Sequence, residues 1–254
     1  FIEFLPEVCY NEINFLGDIW MNFFKDYRKR LLWLGIFLVA MCLSQVPIVT
    51  LMLLQKTQLG SIWSSLIVGL VSTAIVALFL YGAHKSKLLN LKSKLFTIND
   101  APRIALSYVA IVAGNMIGAI WLQLLKQTTT SNQEAINSIM SESSLISSIF
   151  VVAIVAPICE EVICRGIIPT KLFEGYEKIG YIFGWFLFTI AHIPNNLPSF
   201  LIYGWMSAVL TWTAYRTKRL EMSIFLHLVI NGVSILLLIL LTFLIKVVGI
   251  DAFQ

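Results

Sequence analysis

The chain has 254 residues, of which 58% are hydrophobic, and its 14 glycines take the apolar share to about 63%, against roughly 45–50% in soluble domains. Charged residues make up only 13%, with 18 Lys and Arg against 14 Asp and Glu, and mean hydropathy is +0.85. A disordered chain, a nucleic-acid-binding domain and an ordinary soluble enzyme are excluded, because a globular fold of this length cannot hide so much apolar surface from water. The solvent must be lipid.

Residues 1–30 mix Phe, Leu, Ile and Trp with Glu3, Glu7, Glu12 and Asp18, too many acids for a comfortable span; the expectation is an interfacial amphipathic helix. Crossing about 30 Å of hydrocarbon at 1.5 Å per residue takes about 20 residues. Uncharged runs of that length or more cover Leu31–Gln55, Thr57–Ala83, Ile104–Leu125 and Met222–Ile245. The run Ile179–Tyr215 is too long for one crossing, and the turn-forming stretch Ile193-Pro194-Asn195-Asn196-Leu197-Pro198 divides it in two. Residues 126–143 read as a polar outer loop, and 84–103 as a basic one. One segment, 143–170, is awkward because charges interrupt it.

Basic residues resolve that segment. Lys25, Arg28, Lys29 and Arg30 precede the first span, and Lys85, Lys87, Lys92, Lys94 and Arg103 lie between the second and third. Lys171 and Lys178 follow the awkward segment, and Arg216, Lys218 and Arg219 separate the last two spans. The alternate loops carry only Lys56, Lys126 and Lys246. This asymmetry holds only if 143–170 also crosses. The expected fold is therefore an all-α polytopic bundle of about seven spans in the cell membrane, N-terminus cytoplasmic and C-terminus opposite. Its parts would be the interfacial helix (1–30), three spans with their loops (31–143) and a four-span core (144–248).

The fourth span holds Pro157, Glu160, Glu161 and Arg165. Each charge near a bilayer centre costs about 2.5–3.5 kcal/mol or more, a cost that marks function. Glu161 and Arg165 are four apart and share a helix face, so they can pair. Glu160 is rotated about 100° away and is left to act as a base. The bland alternative ends the span at Cys159 and leaves Glu-Glu-Arg as a solvated edge. Phe188 and His192 share the next span at i,i+4 spacing, and His227 and Asn231 share the last; singly, such residues are often interhelical hydrogen-bonding glue. Gln45, Asn115 and Gln123 read as glue, His84 as interfacial. Cys9, Cys42, Cys159 and Cys164 lack metal-knuckle spacing and read as packing residues.

Glu160-Glu161-x-x-x-Arg165, Phe188-x-x-x-His192 and His227-x-x-x-Asn231 together resemble the three motifs of the CPBP intramembrane proteases, the family of type II CAAX prenyl endopeptidases and bacteriocin-processing or immunity (Abi) proteins. Arg165-Gly166 and Gly204…Tyr215-Arg-Thr-Lys-Arg-Leu look familial as well, and the resemblance covers about 144–245. It implies hydrolysis of a peptide bond in a membrane-associated peptide or protein, at a cavity opening toward the cytoplasm, with no nucleic-acid partner. Glu160 with His192 would activate water, and His227 with Asn231 would stabilise the oxyanion; Glu161, Arg165 and Phe188 would support them. A metal-free reaction is the expectation, since Asn231 is a poor zinc ligand; a zinc version would use Glu160, His192 and His227. Two other classes compete: a non-catalytic scaffold or bacteriocin immunity protein of the same fold, and a proton-linked transporter. The transporter would usually show repeated halves, and no repeat is visible.

Overall fold

The computed structural model describes residues 26–89 and 97–248. The expected interfacial helix over 1–30 falls almost wholly outside them. The described part is helical: α1 (Tyr27–Gln55), α2 (Ser61–Lys85), a short 3₁₀ turn (Ile98–Asp100), α3 (Ala101–Leu124), α4 (Ser131–Glu142), α5 (Leu145–Leu172), α6 (Glu177–Ala191), α7 (Leu197–Thr217) and α8 (Leu220–Val248). It is an all-α, multi-pass membrane bundle. Five helices, α1, α2, α3 with its leading turn, α5 and α8, are long and apolar enough to cross a bilayer on their own. The run Ile179–Tyr215 does divide in two, but α6 has only 15 residues, about 22 Å of helix, and α7 buries a stripe that includes Ser199, Gly204, Ser207 and Thr213. Each buries one face in the bundle and leaves an apolar face outside, with Ile182, Phe183 and Phe186 on α6 and Leu201, Trp205 and Trp212 on α7.

The awkward segment is one helix. Its turns widen to an i→i+5 pattern over Phe150–Val155 and again over Val162–Leu172, with α-helical geometry between. Proline explains the placement. Pro157 and Pro169 have no N–H and crowd the preceding turn of a regular α-helix, and the wider turn before Pro157 relieves that crowding without ending the helix. Proline thus reshapes the span locally.

Packing relies on small residues, as expected where lipid removes the hydrophobic drive between helices. A Cβ at Gly184 would collide with the Cys164 carbonyl oxygen, and one at Gly180 would lie 2.5 Å from Pro169 Cα. These two contacts fix an antiparallel α5–α6 register in which Glu160 is level with Phe188. Gly114 and Gly118 of α3 likewise admit Trp205 and Ile202 of α7, and Trp205 Nε1 donates to the Ala110 carbonyl at 2.7 Å.

The basic segments gather at one end of the bundle. Arg30 of α1 donates to the carbonyls of Leu172 (2.5 Å) and Glu174 (2.8 Å), and Lys29 pairs with Glu174 at 2.5 Å, tying the start of α1 to the α5–α6 turn. Arg219, in the α7–α8 turn, pairs with Asp100 (3.0 Å) ahead of α3 and with Glu221 (3.1 Å). Gly166 lies against Leu88 and Leu220, which joins these two groups. At the other end, Gln55 donates to Ser143 Oγ, Thr130 bonds Tyr203 Oη and Asn196 donates to Gln127. There the polar loop 126–143 contains a helix: α4 is capped by Thr130, whose Oγ1 accepts from Gln133 N at 3.2 Å.

Replacing Gly184 by Ala should destabilise the bundle by about 1–3 kcal/mol, the usual range for overpacking, while Gly69→Ala, with nothing within 4 Å of its Cβ, should be neutral or slightly stabilising. Thermal unfolding in detergent micelles compares the two. Equal melting temperatures would contradict the close α5–α6 approach.

Candidate active site

The carboxylates of α5 occupy different surroundings. Glu161 is fully buried, and Arg165 Nη1 reaches its Oε1 at 2.9 Å. Arg165 is itself enclosed: Nη2 donates to the carbonyl (3.0 Å) and Oγ (2.7 Å) of Ser207, Nε donates to Thr211 Oγ1 (3.3 Å), and the guanidinium stacks 4.5 Å from the Phe188 ring centre. Ser223 Oγ donates to Glu161 Oε2, and His227 Nδ1 lies 2.9 Å from Oε1. The pair therefore joins α5, α6, α7 and α8, and the reading of Glu-Glu-Arg as a solvated edge is overturned. Ions this deep persist only where each polar atom is matched.

Glu160 points elsewhere. Its side chain is 33% exposed, and its Oε2 lies 3.9 Å from His227 Nε2. His227 is thus set between the two glutamates. The Glu161 carboxylate, already receiving Arg165, can only accept, so Nδ1 carries the ring proton and Nε2 faces Glu160. His192 ends α6 and is fixed in the same way: its Nδ1 donates to the Phe188 carbonyl at 2.8 Å, and its ring stacks on Tyr203 with centroids 4.5 Å apart. Phe188 is the wall common to both imidazoles, 4.5 Å from His192 and 5.6 Å from His227.

Asn231, one turn beyond His227, donates through Nδ2 to the Val152 carbonyl at 3.0 Å. That carbonyl is the orphan created by proline: in the widened turn Ala156 N bonds to Val151 O, so Pro157, if it had an N–H, would bond to Val152 O. Asn231 supplies the missing donor. One amide hydrogen and Oδ1 remain for other work.

Glu160, His192, His227 and Asn231 all line one cavity of about 710 Å³. The four residues singled out in the sequence therefore share a space, although His227 lies only a few residues into α8 and His192 at the far end of α6. The α5–α6 hairpin accounts for this, since α5 runs on from Cys159 to Leu172, about three turns, before α6 turns back. Cys159 and Cys164 are wall residues of the same cavity, as are Gln45 and Asn115, which the sequence suggested were interhelical glue. Helix α4 contributes Asn132, Gln133 and Asn137. His84 lines no part of it; its Nδ1 lies 3.3 Å from the Leu89 carbonyl at the basic end.

The zinc set fits poorly. Among the described residues no three His, Cys, Asp or Glu side chains converge as a metal-holding group, Glu160, His192 and His227 included.

Comparison with known proteins meets this geometry at the same residues. The model of the Rce1-like type II CAAX prenyl endopeptidases matches residues 142–233, which contain all three motifs. The match is confined to the C-terminal core. That family is one of membrane proteases, and the matched residues span α5, α6, α7 and the first half of α8. The UPF0177 protein YvdC of Lactococcus lactis subsp. lactis (strain IL1403) is 29% identical over 133 residues, 51% of this chain and 49% of that protein. The chain thus spans about half the length of that curated relative. No solved structure matches it.

Removing Arg165 alone would strand a buried carboxylate. Arg165→Met should cost about 3–5 kcal/mol, and the double variant Glu161→Leu/Arg165→Met should regain part of that loss. Thermal unfolding in micelles is the measurement; an Arg165→Met variant that melts with the wild type would show that the pair is not closed to water.

Proposed function

We propose that this protein is an intramembrane endopeptidase that hydrolyses a peptide bond in a membrane-associated peptide or protein. The observation that carries the proposal is the asymmetry of the two glutamates. Glu161 is consumed by Arg165, Ser223 and His227, whereas Glu160 faces a cavity next to an imidazole nitrogen and pairs with no Lys or Arg among the described residues. A carboxylate so placed can take a proton from water.

In the proposed reaction a water within reach of Glu160 and of His192 Nε2 attacks the carbonyl carbon, and Glu160 accepts its proton. The carbonyl oxygen becomes an oxyanion as the C–O bond forms. The free amide hydrogen of Asn231 donates to it, and His227 Nε2 does so when protonated, an arrangement commonly worth about 2.7–4 kcal/mol per donor. Glu160 then returns the proton to the departing amine, leaving a carboxyl and an amino product. Glu161 and Arg165 hold the His227 ring in place, and Phe188 keeps both imidazoles on one wall. The enclosing helices exclude bulk water, which leaves these dipoles unscreened. The basic turns are assigned to the cytoplasmic face.

Glu160→Gln keeps the shape and removes the base. It should slow cleavage by about 10²–10⁴-fold with unchanged thermal stability, so quantitative proteomics of membrane peptides in cells carrying the variant should reveal an accumulating precursor. If none accumulates, the non-catalytic scaffold or immunity reading takes its place. Chelation with EDTA or phenanthroline should leave turnover unchanged; its loss, with restoration by zinc alone, would replace the metal-free scheme.

A further inference from the structure

A second cavity, of about 300 Å³, shares no lining residue with that of Glu160. It is a groove between α1 and α2, running along α1 from Trp33 to Leu43, about 15 Å of helix, and along α2 from Leu78 to Leu88. Val162 and Ile167 of α5 form a buried floor, whereas Ile36 and Val39 on one lip and Leu78 on the other are exposed. The groove is therefore open sideways to hydrocarbon. It exists because Ala40, Gly82 and Ala83 are too small to fill it, and a Cβ at Gly82 would meet nothing within 4 Å. An empty gap forfeits dispersion contacts on both walls, and an acyl chain is what the bilayer offers to fill one.

The charge at its mouth narrows the choice of lipid. Lys171 Nζ lies 5.5 Å from the ring centre of Trp33, which lines the groove at the basic end. Lys171 is within Coulombic reach of Lys29 and Lys87, and Ser86 and Leu88, on either side of Lys87, both line the groove. Glu174, the acid that Lys171 feels, is held by Lys29 at 2.5 Å, and neither Lys87 nor Lys171 forms an ion pair among the described residues. Cations gathered at headgroup level above an apolar slot suit an anionic lipid, whereas a zwitterionic one brings a cation of its own. A second copy of this chain fits badly, since a two-fold pairing on this face would set the same lysines opposite one another at the same depth.

We propose that this groove is a binding site for an anionic phospholipid of the leaflet at the basic end. One acyl chain lies between α1 and α2 against Val162 and Ile167, and the phosphate is held by Lys87, Lys171 and the Ser86 hydroxyl. Such a lipid joins α1 and α2 to the part of α5 that follows Glu161, and it does so whether or not the protein is a peptidase.

The test is native mass spectrometry of the full chain released from detergent micelles after incubation with equal amounts of dioleoyl phosphatidylglycerol and dioleoyl phosphatidylcholine. The wild type should retain phosphatidylglycerol in preference to phosphatidylcholine. Lys87→Gln/Lys171→Gln should weaken that preference about fivefold for each lysine, while Lys87→Arg/Lys171→Arg should keep it. Gly82→Leu places a side chain in the slot and should lose the retained lipid. All three variants should melt with the wild type in lipid-free detergent, which separates loss of the site from loss of the fold. Equal retention of the two lipids by the wild type overturns the proposal, as does a preference that survives both the glutamine variant and Gly82→Leu. Displacement of the lipid by inorganic phosphate, or a lipid-free dimer in its place, overturns it too.

Discussion

The Glu161–Arg165 pair is the constraint from which the rest of the site follows. Placing two ions in the middle of a membrane bundle is tolerable only if each lone pair and each N–H finds a partner. The partners come from three other helices: Ser207 and Thr211 from α7, Ser223 and His227 from α8, and the face of Phe188 from α6. Satisfying the pair therefore sets how the four helices meet. It also fixes the orientation of His227, because the nitrogen turned toward Glu161 leaves the other turned toward Glu160.

A second constraint is the backbone of α5. Proline at 157 obliges the helix to widen, the widened turn strands the Val152 carbonyl, and Asn231 answers it from α8. This gives the asparagine a structural reason to exist beside any chemical one. The cluster around Arg165 packs the bundle on one side of Glu160, and the proline turn lies on the other.

Much of this was legible in the sequence. Uncharged runs gave the long helices, and the shortage of basic residues in alternate loops showed that the interrupted segment must cross. The i,i+4 spacings of Glu161 with Arg165, Phe188 with His192 and His227 with Asn231 survive unchanged, since a helix makes them neighbours whatever surrounds it. The contacts between motifs were not legible, because Glu161 and His227 are 66 residues apart and no local rule joins them. Helix α5 continues past Arg165 and on through Lys171, so the α5–α6 hairpin extends farther than its uncharged residues suggest. The helix α4 was missed in a polar loop, although Thr130 followed by Gln133 at the capping spacing, with Ile136, Ile139 and Met140 beyond, is a readable start signal.

The claim that the buried ion pair holds His227 in one orientation can be measured directly. Nitrogen-15 NMR of histidine-labelled protein in micelles, with signals assigned by replacing each of the three histidines in turn, reports which ring nitrogen bears the proton. The account predicts His227 protonated at Nδ1 and strongly hydrogen-bonded there, a state lost in Glu161→Gln and kept in Glu160→Gln. A wild-type ring protonated at Nε2 alone, with Nδ1 bare, would contradict it.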